Sequence, residues 1–300
     1  VVEFCAKIMY KLMNVSGAES LSNIASAFVG QVEAQIMIKP YLATMTMSEL
    51  LASMTGSMAC IAGGVMAMYV GMGIPAEYLL AASIMAAPGA LVISKIVYPE
   101  TEESQTKNEV KVEIKKTHVN LIDSIAHGAS DGMKVSINVI AMLIALTALI
   151  SMVDWILAHI GLFMANVLHM NLSFINIDLA HLSLKEILGS IFSLFAIVMG
   201  VPFKEAADVG ALMGTKLVFN EFIAYLDLTS LKSVLSEKSI IIASFALCGF
   251  ANLGSIAIQI GGIGELAPNR RKDLARLGVK ALVCGTLASY MSACIAGILM

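Results

Sequence analysis

The chain has 300 residues, of which 58% are hydrophobic and 14% are charged, and its mean hydropathy is +0.84. A soluble domain carries roughly 25% charged residues, so this composition excludes an ordinary soluble protein. The net charge of −3 is nearly balanced, which argues against a nucleic-acid partner. The sequence therefore predicts an all-α integral membrane protein that is surrounded by the lipid bilayer.

The first predicted unit covers residues 1–134. It opens with the pattern of an amphipathic helix at 1–15 and continues with an interrupted apolar segment at 19–42. Each half of that segment is too short to cross a bilayer, so we expect a re-entrant hairpin there, which we name hairpin 1. Residues 50–73 and 78–98 are each long enough to cross, since a spanning helix needs roughly 20 mostly apolar residues.

The second predicted unit, 135–182, is a scaffold. It starts with an apolar stretch at 135–164 that is long enough to cross with a tilt. The polar residues at its far end and in the loop that follows are Asp154, His159, His169 and His181. These side chains could bind a metal or relay protons, but their spacing fits no metal motif. We expect solvated or interfacial positions for them and assign no metal site.

The third predicted unit, 183–300, repeats the order of the first. Residues 183–201 begin with a capping-box pattern and are expected to form a helix on the membrane surface, with a full crossing as the alternative. Residues 210–225 are again too short and too polar for a crossing and form the predicted hairpin 2. Residues 240–260 and 277–300 are expected to cross.

Basic residues concentrate in two loops, 107–116 and 270–276. If 135–164 and 240–260 cross and 183–201 lies on the surface, both loops share one side of the membrane. By the positive-inside rule that side is the cytoplasm. Short loops are typical of bacterial transport proteins, so the expected location is the plasma membrane, in bacteria the inner membrane.

Two polar clusters interrupt the hairpins in corresponding places. Gln31 and Glu33 form the first cluster, and Asn220 and Glu221 form the second. An ionisable side chain at membrane depth costs a few kcal/mol, so such clusters often mark a substrate or ion pathway. A carboxylate accepts hydrogen bonds from sugar hydroxyls, and an amide suits a nucleobase edge. An ordinary interfacial loop is the alternative interpretation of the first cluster, although its repetition argues against it.

Each cluster is followed about 30 residues later by a helix that small residues break, at 60–64 and at 250–255. Asn252 and Ser255 lie about one helical turn apart, so both can face one site. Hydrogen bonding between helices is the alternative for this pair. Phe250 is either a plain core residue or a ring that packs on a sugar or a base. No nucleotide-binding glycine loop and no nucleophile motif is visible, so an enzyme is not expected.

These clusters resemble the concentrative nucleoside transporter family. The motifs that carry the resemblance include Phe28-Val29-Gly30-Gln31-x-Glu33-Ala34, Ile61-Ala62-Gly63-Gly64-Val65 and Asn220-Glu221-Phe222-x-Ala224-Tyr225, with further matches at 18–20, 86–90, 98–102, 200–206, 214–216, 244–253, 268–271 and 285–287. They cover nearly the whole chain in the family's order. Bacterial members carry additional N-terminal membrane helices, so we expect that the chain lacks them.

The resemblance implies an ion-driven, trimeric nucleoside symporter with an inverted-repeat fold, two re-entrant hairpins and two unwound helices. It places Gln31, Val32 and Glu33 on the nucleobase side. It places Glu221, Asn252 and Ser255 on the ribose side, with Val65 and Phe250 as apolar neighbours of the ligand. It implies no cofactor other than the coupling ion, and the expected substrates are purine or pyrimidine nucleosides.

The chain departs from the family pattern at three positions. Val32 replaces the usual Thr or Ser between the Gln and the Glu of hairpin 1. Ser26 and Cys60 stand where sodium-coupled members have an Asn and a Ser or Thr. Because sodium prefers oxygen ligands, a thiol is a poor substitute.

The coupling ion is therefore expected to be a proton, with sodium as the alternative. The ion-coupling candidates are Ser26, Val29, Cys60, Ile61, Glu33 and Glu221. Either Glu33 or Glu221 would carry the proton, because a carboxylate away from water is easier to protonate. A nucleoside-binding sensor or channel and a non-transporting fragment are the alternatives to a symporter.

Overall fold

The computed structural model describes residues 2–107, 120–167 and 179–300. All regular structure within these ranges is helical, which confirms the predicted fold class. The helices of the first half are α1 (Val2–Met13), α2 (Gly17–Ser26), α3 (Glu33–Met37), α4 (Lys39–Leu42), α5 (Met47–Ala59), α6 (Gly63–Gly71) and α7 (Ala76–Val97). After α8 (Leu121–Asn166), the second half contains α9 (Leu184–Val198), α10 (Ala206–Val218), α11 (Glu221–Leu231), α12 (Glu237–Leu247), α13 (Leu253–Leu266) and α14 (Arg271–Leu299). Short 3-10 helices cover Leu179–His181 and Pro268–Arg270.

Four helical segments among the described residues are long and apolar enough to cross a membrane: Met47–Gly71, Ala76–Val97, Leu121–Asn166 and Pro268–Leu299. They correspond to four of the five predicted crossings. The fifth, 240–260, consists of two helices, α12 and α13, which the non-helical residues 248–252 separate. This break agrees with the small residues that mark 250–255 in the sequence.

Both segments predicted as hairpins form short helices: α2, α3 and α4 in the first half, and α10 and α11 in the second. Hairpin 2 is longer than predicted, because α10 begins at Ala206 and α11 continues to Leu231. The re-entrant path of both hairpins stays a prediction.

Helix α9 occupies the segment predicted to lie on the membrane surface. It has 15 residues, fewer than a spanning helix needs. It begins where the sequence predicts, since the Ser183 hydroxyl accepts a hydrogen bond from the Glu186 amide at 3.3 Å. Its close contact with α10 depends on glycine, because a Cβ atom on Gly210 would lie 2.6 Å from the Gly189 carbonyl oxygen.

The two broken helices cross each other at their breaks, in the centre of the molecule. The Phe250 amide donates to the Cys60 carbonyl at 3.3 Å. Gly249, with φ of +120°, approaches so closely that a Cβ atom would lie 2.4 Å from the Ala59 carbonyl oxygen. The tip of hairpin 1 joins them, since the Gly63 amide donates to the Phe28 carbonyl at 3.1 Å. The fold therefore brings one hairpin tip and both unwound segments together.

The first predicted basic loop, 107–116, lies outside the described residues from position 108 onwards. In the second loop, Arg270 is turned into the protein rather than towards solvent. It is 9% exposed, and its Nη1 atom donates to the Met45 carbonyl at 2.5 Å. Its Nε atom donates to the Asp273 carboxylate at 2.8 Å. This arginine therefore ties the start of α14 to the start of α5.

Candidate functional site

The tip of hairpin 1 is a tight turn around Gly30, whose φ of +147° favours glycine. The Glu33 carboxylate folds back over this turn and accepts from the Val32 amide at 3.3 Å. Glu33 is exposed, and it begins α3. The Gln31 carboxamide oxygen is buried and has no hydrogen-bond partner within the described part of the chain. A buried acceptor without a partner costs about 1–3 kcal/mol, which a bound donor could recover.

A cavity of about 310 Å³ lies against this tip. Its lining combines hairpin 1, the first unwound segment with the start of α6, the first half of α8, and the second unwound segment with α13. The lining residues are Val29, Gly30, Gln31, Val32, Glu33, Ala62, Val65, Val135, Ser136, Val139, Phe250 and Ile258. The volume falls within the range of small-molecule pockets, and mostly apolar walls with a few polar groups are typical of them.

Glu221 supplies the carboxylate of the second cluster and is buried, with 6% of its surface exposed. One carboxylate oxygen accepts from the Tyr69 hydroxyl at 2.9 Å, and the other accepts from the Asn252 amide group at 3.2 Å. Hydrogen bonds to an ionised group are roughly twice as strong as neutral ones. Two elements, α6 and the unwound segment before α13, therefore hold the Glu221 carboxylate in one orientation.

The remaining polar residues of the second half also have local structural roles. The Asn220 carboxamide oxygen caps α11 by accepting from the Ile223 amide at 3.0 Å. The Asn252 carboxamide oxygen caps α13 by accepting from the Ser255 amide at 2.8 Å, and the Ser255 hydroxyl donates to the Phe250 carbonyl. Since its oxygen is engaged by the cap, Asn252 presents its amide group to Glu221.

The predicted site residues thus form two neighbouring groups. Gln31, Val32, Glu33, Val65 and Phe250 line the cavity, whereas Glu221, Asn252 and Ser255 are not among its lining residues. Phe250 connects the groups, because its ring lines the cavity while its carbonyl accepts from Ser255. The family resemblance likewise assigns Gln31, Val32 and Glu33 to the base and Glu221, Asn252 and Ser255 to the ribose, as an expectation.

The ion-coupling candidate Ser26 belongs to a buried polar network between hairpin 1 and α5. Its hydroxyl donates to the Ser22 carbonyl at 2.8 Å and lies 3.1 Å from the Ser57 hydroxyl. Gln35 occupies the centre of the network, with its amide group donating to Ser57 at 2.6 Å and its oxygen accepting from Ser53 at 2.7 Å. The Ser26 oxygen is therefore engaged by protein groups.

The other ion-coupling candidates lie around the first break. Cys60 and Ile61 are buried, and the Cys60 thiol donates to the Ser83 carbonyl at 3.7 Å. Val29 is 44% exposed at the hairpin tip. Cys60 thus points towards α7, and a hydroxyl at this position would present a harder ligand atom than sulfur does.

Three further side chains make polar contacts beside the predicted site residues. Tyr69 was not singled out, although it lies four residues after Val65 on the same helix face. Gln35 stands four residues after Gln31 and reads as one more polar residue of the hairpin. Lys216 was noted only as part of a motif, yet it is 1% exposed.

The residues considered for a metal have other contacts. The Asp154 carboxylate accepts from the Leu184 amide at 2.7 Å and so fixes the start of α9. The His159 ring lies 4.2 Å from the Trp155 ring, centroid to centroid. His169 lies outside the described residues. In the described ranges no three His, Cys, Asp or Glu side chains are placed to hold a metal ion.

Residues 78–297 match the family model described as the C-terminus of Na⁺ dependent nucleoside transporters. An uncharacterized transporter of Bacillus subtilis, YutK, is 47% identical over 289 residues, which cover 96% of this chain and 68% of the relative. The nucleoside permease NupC of Helicobacter pylori is 41% identical, with 97% of this chain and 67% of the relative covered. The sodium/nucleoside cotransporter 2 of Rattus norvegicus is 37% identical, with 100% of this chain and 46% of the relative covered.

Solved structures show the same likeness. CNTnw in an inward-facing substrate-bound state is 45% identical and has a TM-score of 0.78, with 99% of this chain and 68% of that chain covered. A CNTnw variant in an intermediate state is 44% identical and has a TM-score of 0.84, with 99% and 70% covered. At this identity the likeness extends to the arrangement of the helices over nearly the whole chain.

Proposed function

Because the chain belongs to the Na⁺ dependent nucleoside transporter family, we propose that it is a secondary active symporter that imports nucleosides by alternating access. Its characterised relatives are transporters and not enzymes. The homotrimer, the bacterial inner membrane and the cytoplasmic side of the basic loops are parts of the same proposal. So is the division into a first half, a scaffold and a second half.

The observation that carries this proposal is the geometry around Glu221. A carboxylate that is 6% exposed lies beside a break in a membrane helix, and Tyr69 and Asn252 hold both of its oxygens. A carboxylate oxygen has more than one lone pair, so each oxygen can accept a further bond from a sugar hydroxyl. We assign Glu221, Asn252 and Ser255 to the ribose.

The cavity at hairpin 1 supports the assignment of the base. Gln31 brings a buried oxygen without a partner, and Val65 and Phe250 supply apolar surface beside it. The exocyclic amino group of a base could donate to Gln31, and its ring could stack on Phe250. Val32 offers no hydroxyl, so base discrimination is assigned to Gln31 and Glu33.

A channel or a sensor could use the same site without coupling. The test is accumulation of labelled uridine by proteoliposomes containing the purified protein. A symporter raises the internal concentration above the external one when an ion gradient is imposed, and collapse of the gradient releases the excess. Uptake that stops at equal concentrations would favour a channel, and binding without uptake would favour a sensor.

For the coupling ion we propose a proton, although several relatives are named as sodium-coupled. Support comes from Ser26, whose oxygen is engaged by Ser22 and Ser57, and from the soft Cys60 sulfur. Both candidate proton carriers stay in the proposal: Glu33 is exposed at the cavity, whereas Glu221 is buried and each of its oxygens accepts one hydrogen bond. A Glu33→Gln variant that still accumulates uridine under a pH gradient would assign the proton to Glu221.

Restoring hard ligands at both positions should create a response to sodium. We expect the double variant Ser26→Asn, Cys60→Ser to show uptake that sodium stimulates several-fold at equal pH on both sides, because the longer Asn side chain offers a carbonyl oxygen in place of the engaged Ser26 hydroxyl and Cys60→Ser replaces sulfur with oxygen. Uridine uptake is measured in sodium and in choline buffers. The control is Ser26→Ala, which removes an oxygen. Wild-type uptake that already depends on sodium would overturn the proton assignment.

A further inference from the structure

Lys216 in α10 is buried, and the proposed transport mechanism does not use it. Its side chain is 1% exposed, and its Nζ atom donates to the Ala246 carbonyl at 2.9 Å. A buried ammonium group costs several kcal/mol unless its surroundings compensate for the charge. The position of this lysine therefore calls for a source of compensation nearby.

The first source is the carbonyl end of α12, which stops at Leu247. The last carbonyls of a helix have no partners within it, and this end carries partial negative charge. Two side chains of hairpin 2 donate to this end of α12. Lys216 donates to the Ala246 carbonyl, and the Tyr225 hydroxyl donates to the Ser244 carbonyl at 2.8 Å. The lysine thus fastens hairpin 2 to α12, two residues before the chain unwinds towards Asn252.

The second source is Glu221, which follows Lys216 by five residues in the same hairpin. Glu221 accepts from the Asn252 amide group at 3.2 Å across the gap between hairpin 2 and the unwound segment. Lys216 contacts α12, the helix that leads into the unwound segment with Asn252, while the next helix of its own hairpin begins with Glu221. The distance between the Glu221 carboxylate and the Asn252 amide group therefore depends on the Lys216 contact.

We infer that Lys216 is a positioning residue for the sugar: its ammonium group joins hairpin 2 to the carbonyl end of α12 and thereby sets the geometry of Glu221 and Asn252. This inference rests on the proposed function, because it assumes that Glu221 and Asn252 bind ribose. Lys216 would act on the ligand indirectly, through Glu221 and Asn252, unlike the residues that line the cavity or form the tip of hairpin 1.

The experiment compares Lys216→Met with wild type for the uptake of uridine and of 3′-deoxyuridine. We expect the KM for uridine to rise about tenfold, equivalent to about 1.4 kcal/mol, while the maximal rate per carrier stays within threefold. The KM for 3′-deoxyuridine should rise much less, because this nucleoside lacks one of the ribose hydroxyls that we propose Glu221 and Asn252 bind. Lys216→Arg, which keeps the charge and the donors, should recover part of the uridine affinity.

The matched control is Lys232→Met. Lys232 donates to the Gly73 carbonyl at 2.7 Å, so it also joins hairpin 2 to the end of a broken helix, but it is partly exposed. The KM values of the Lys232→Met variant for uridine and for 3′-deoxyuridine should stay within twofold of those of wild type. If Lys216→Met does not reach the membrane, Lys216→Gln, which keeps a donor without the charge, is measured in its place with the same expectation.

A purely structural lysine would lower the number of working carriers and leave both KM values unchanged, which would overturn the inference. Equal rises for uridine and 3′-deoxyuridine would overturn it as well. Failure of the proposed function gives a different result: the wild-type protein itself would then fail to distinguish the two nucleosides, or would not take them up.

Discussion

Replacing Glu221 with Ala is expected to lower the uptake of every nucleoside by at least about 100-fold. The substitution removes the acceptor of two hydrogen bonds and leaves the Tyr69 hydroxyl and the Asn252 amide group without their partner. A hydrogen bond from a ribose hydroxyl to a charged carboxylate contributes about 1.5–3 kcal/mol, and the loss of two such bonds accounts for a factor of 100 or more. The loss should be uniform because all nucleosides share the sugar. Initial rates for uridine, cytidine, adenosine and guanosine, corrected for the amount of carrier in the membrane, provide the measurement.

The contrasting variant is Gln31→Ala, which leaves the sugar contacts in place. Gln31 lines the cavity that we propose for the base and has a buried oxygen without a partner among the described residues, so the loss of its carboxamide should change the four rates unequally. Bases that use this oxygen as an acceptor should lose affinity, whereas others should be little affected. An even loss for Gln31→Ala, or residual uptake by Glu221→Ala equal to that of wild type, would contradict the assignment of base and sugar sides.

Replacing Gly249 with Ala should disrupt the crossing of the two broken helices. The φ of +120° is unfavourable for any residue with a Cβ atom, and that atom would lie 2.4 Å from the Ala59 carbonyl oxygen, which belongs to the backbone and cannot swing away. Strain and overpacking together cost about 2–5 kcal/mol. We expect the melting temperature of the purified protein in detergent to fall by roughly 5–15 °C.

Gly64→Ala is the matched control for this prediction. Gly64 lies in the other broken helix, at the start of α6, and an added Cβ atom would meet nothing within 4 Å. Alanine also has the higher helix propensity, so the stability of this variant should be unchanged or slightly higher. A Gly249→Ala protein as stable as Gly64→Ala would show that the breaks are not packed as described.

The sequence predicts the helical architecture well because lipid imposes strong constraints on it. Long apolar stretches, interrupted hairpins and small residues at the breaks are each visible without a structure, and α5 to α7, α12 and α13 follow them. The start of α9 is likewise visible, since Ser183 and Glu186 form a local signal. The boundaries of hairpin 2 are less certain from sequence, because α10 continues helically across the polar residues near Lys216.

The site is only partly visible in the sequence, because its remaining contacts are long-range. The bond between Tyr69 and Glu221 spans 152 residues, and that between Lys216 and Ala246 spans 30. No local pattern announces which apolar helix supplies a hydroxyl to a carboxylate in the other half. The polar residues Asn220 and Asn252, which stand out in the sequence, are helix caps, and Asn252 also donates to Glu221.

The most direct test of the central claim is the accumulation of labelled uridine by proteoliposomes under one gradient at a time. With sodium absent and the exterior more acidic than the interior, we expect uridine to accumulate above the external concentration and the excess to be lost when a protonophore is added. A sodium gradient at equal pH should produce no accumulation. Accumulation that follows the sodium gradient and ignores the pH gradient would contradict proton-coupled nucleoside symport by this chain.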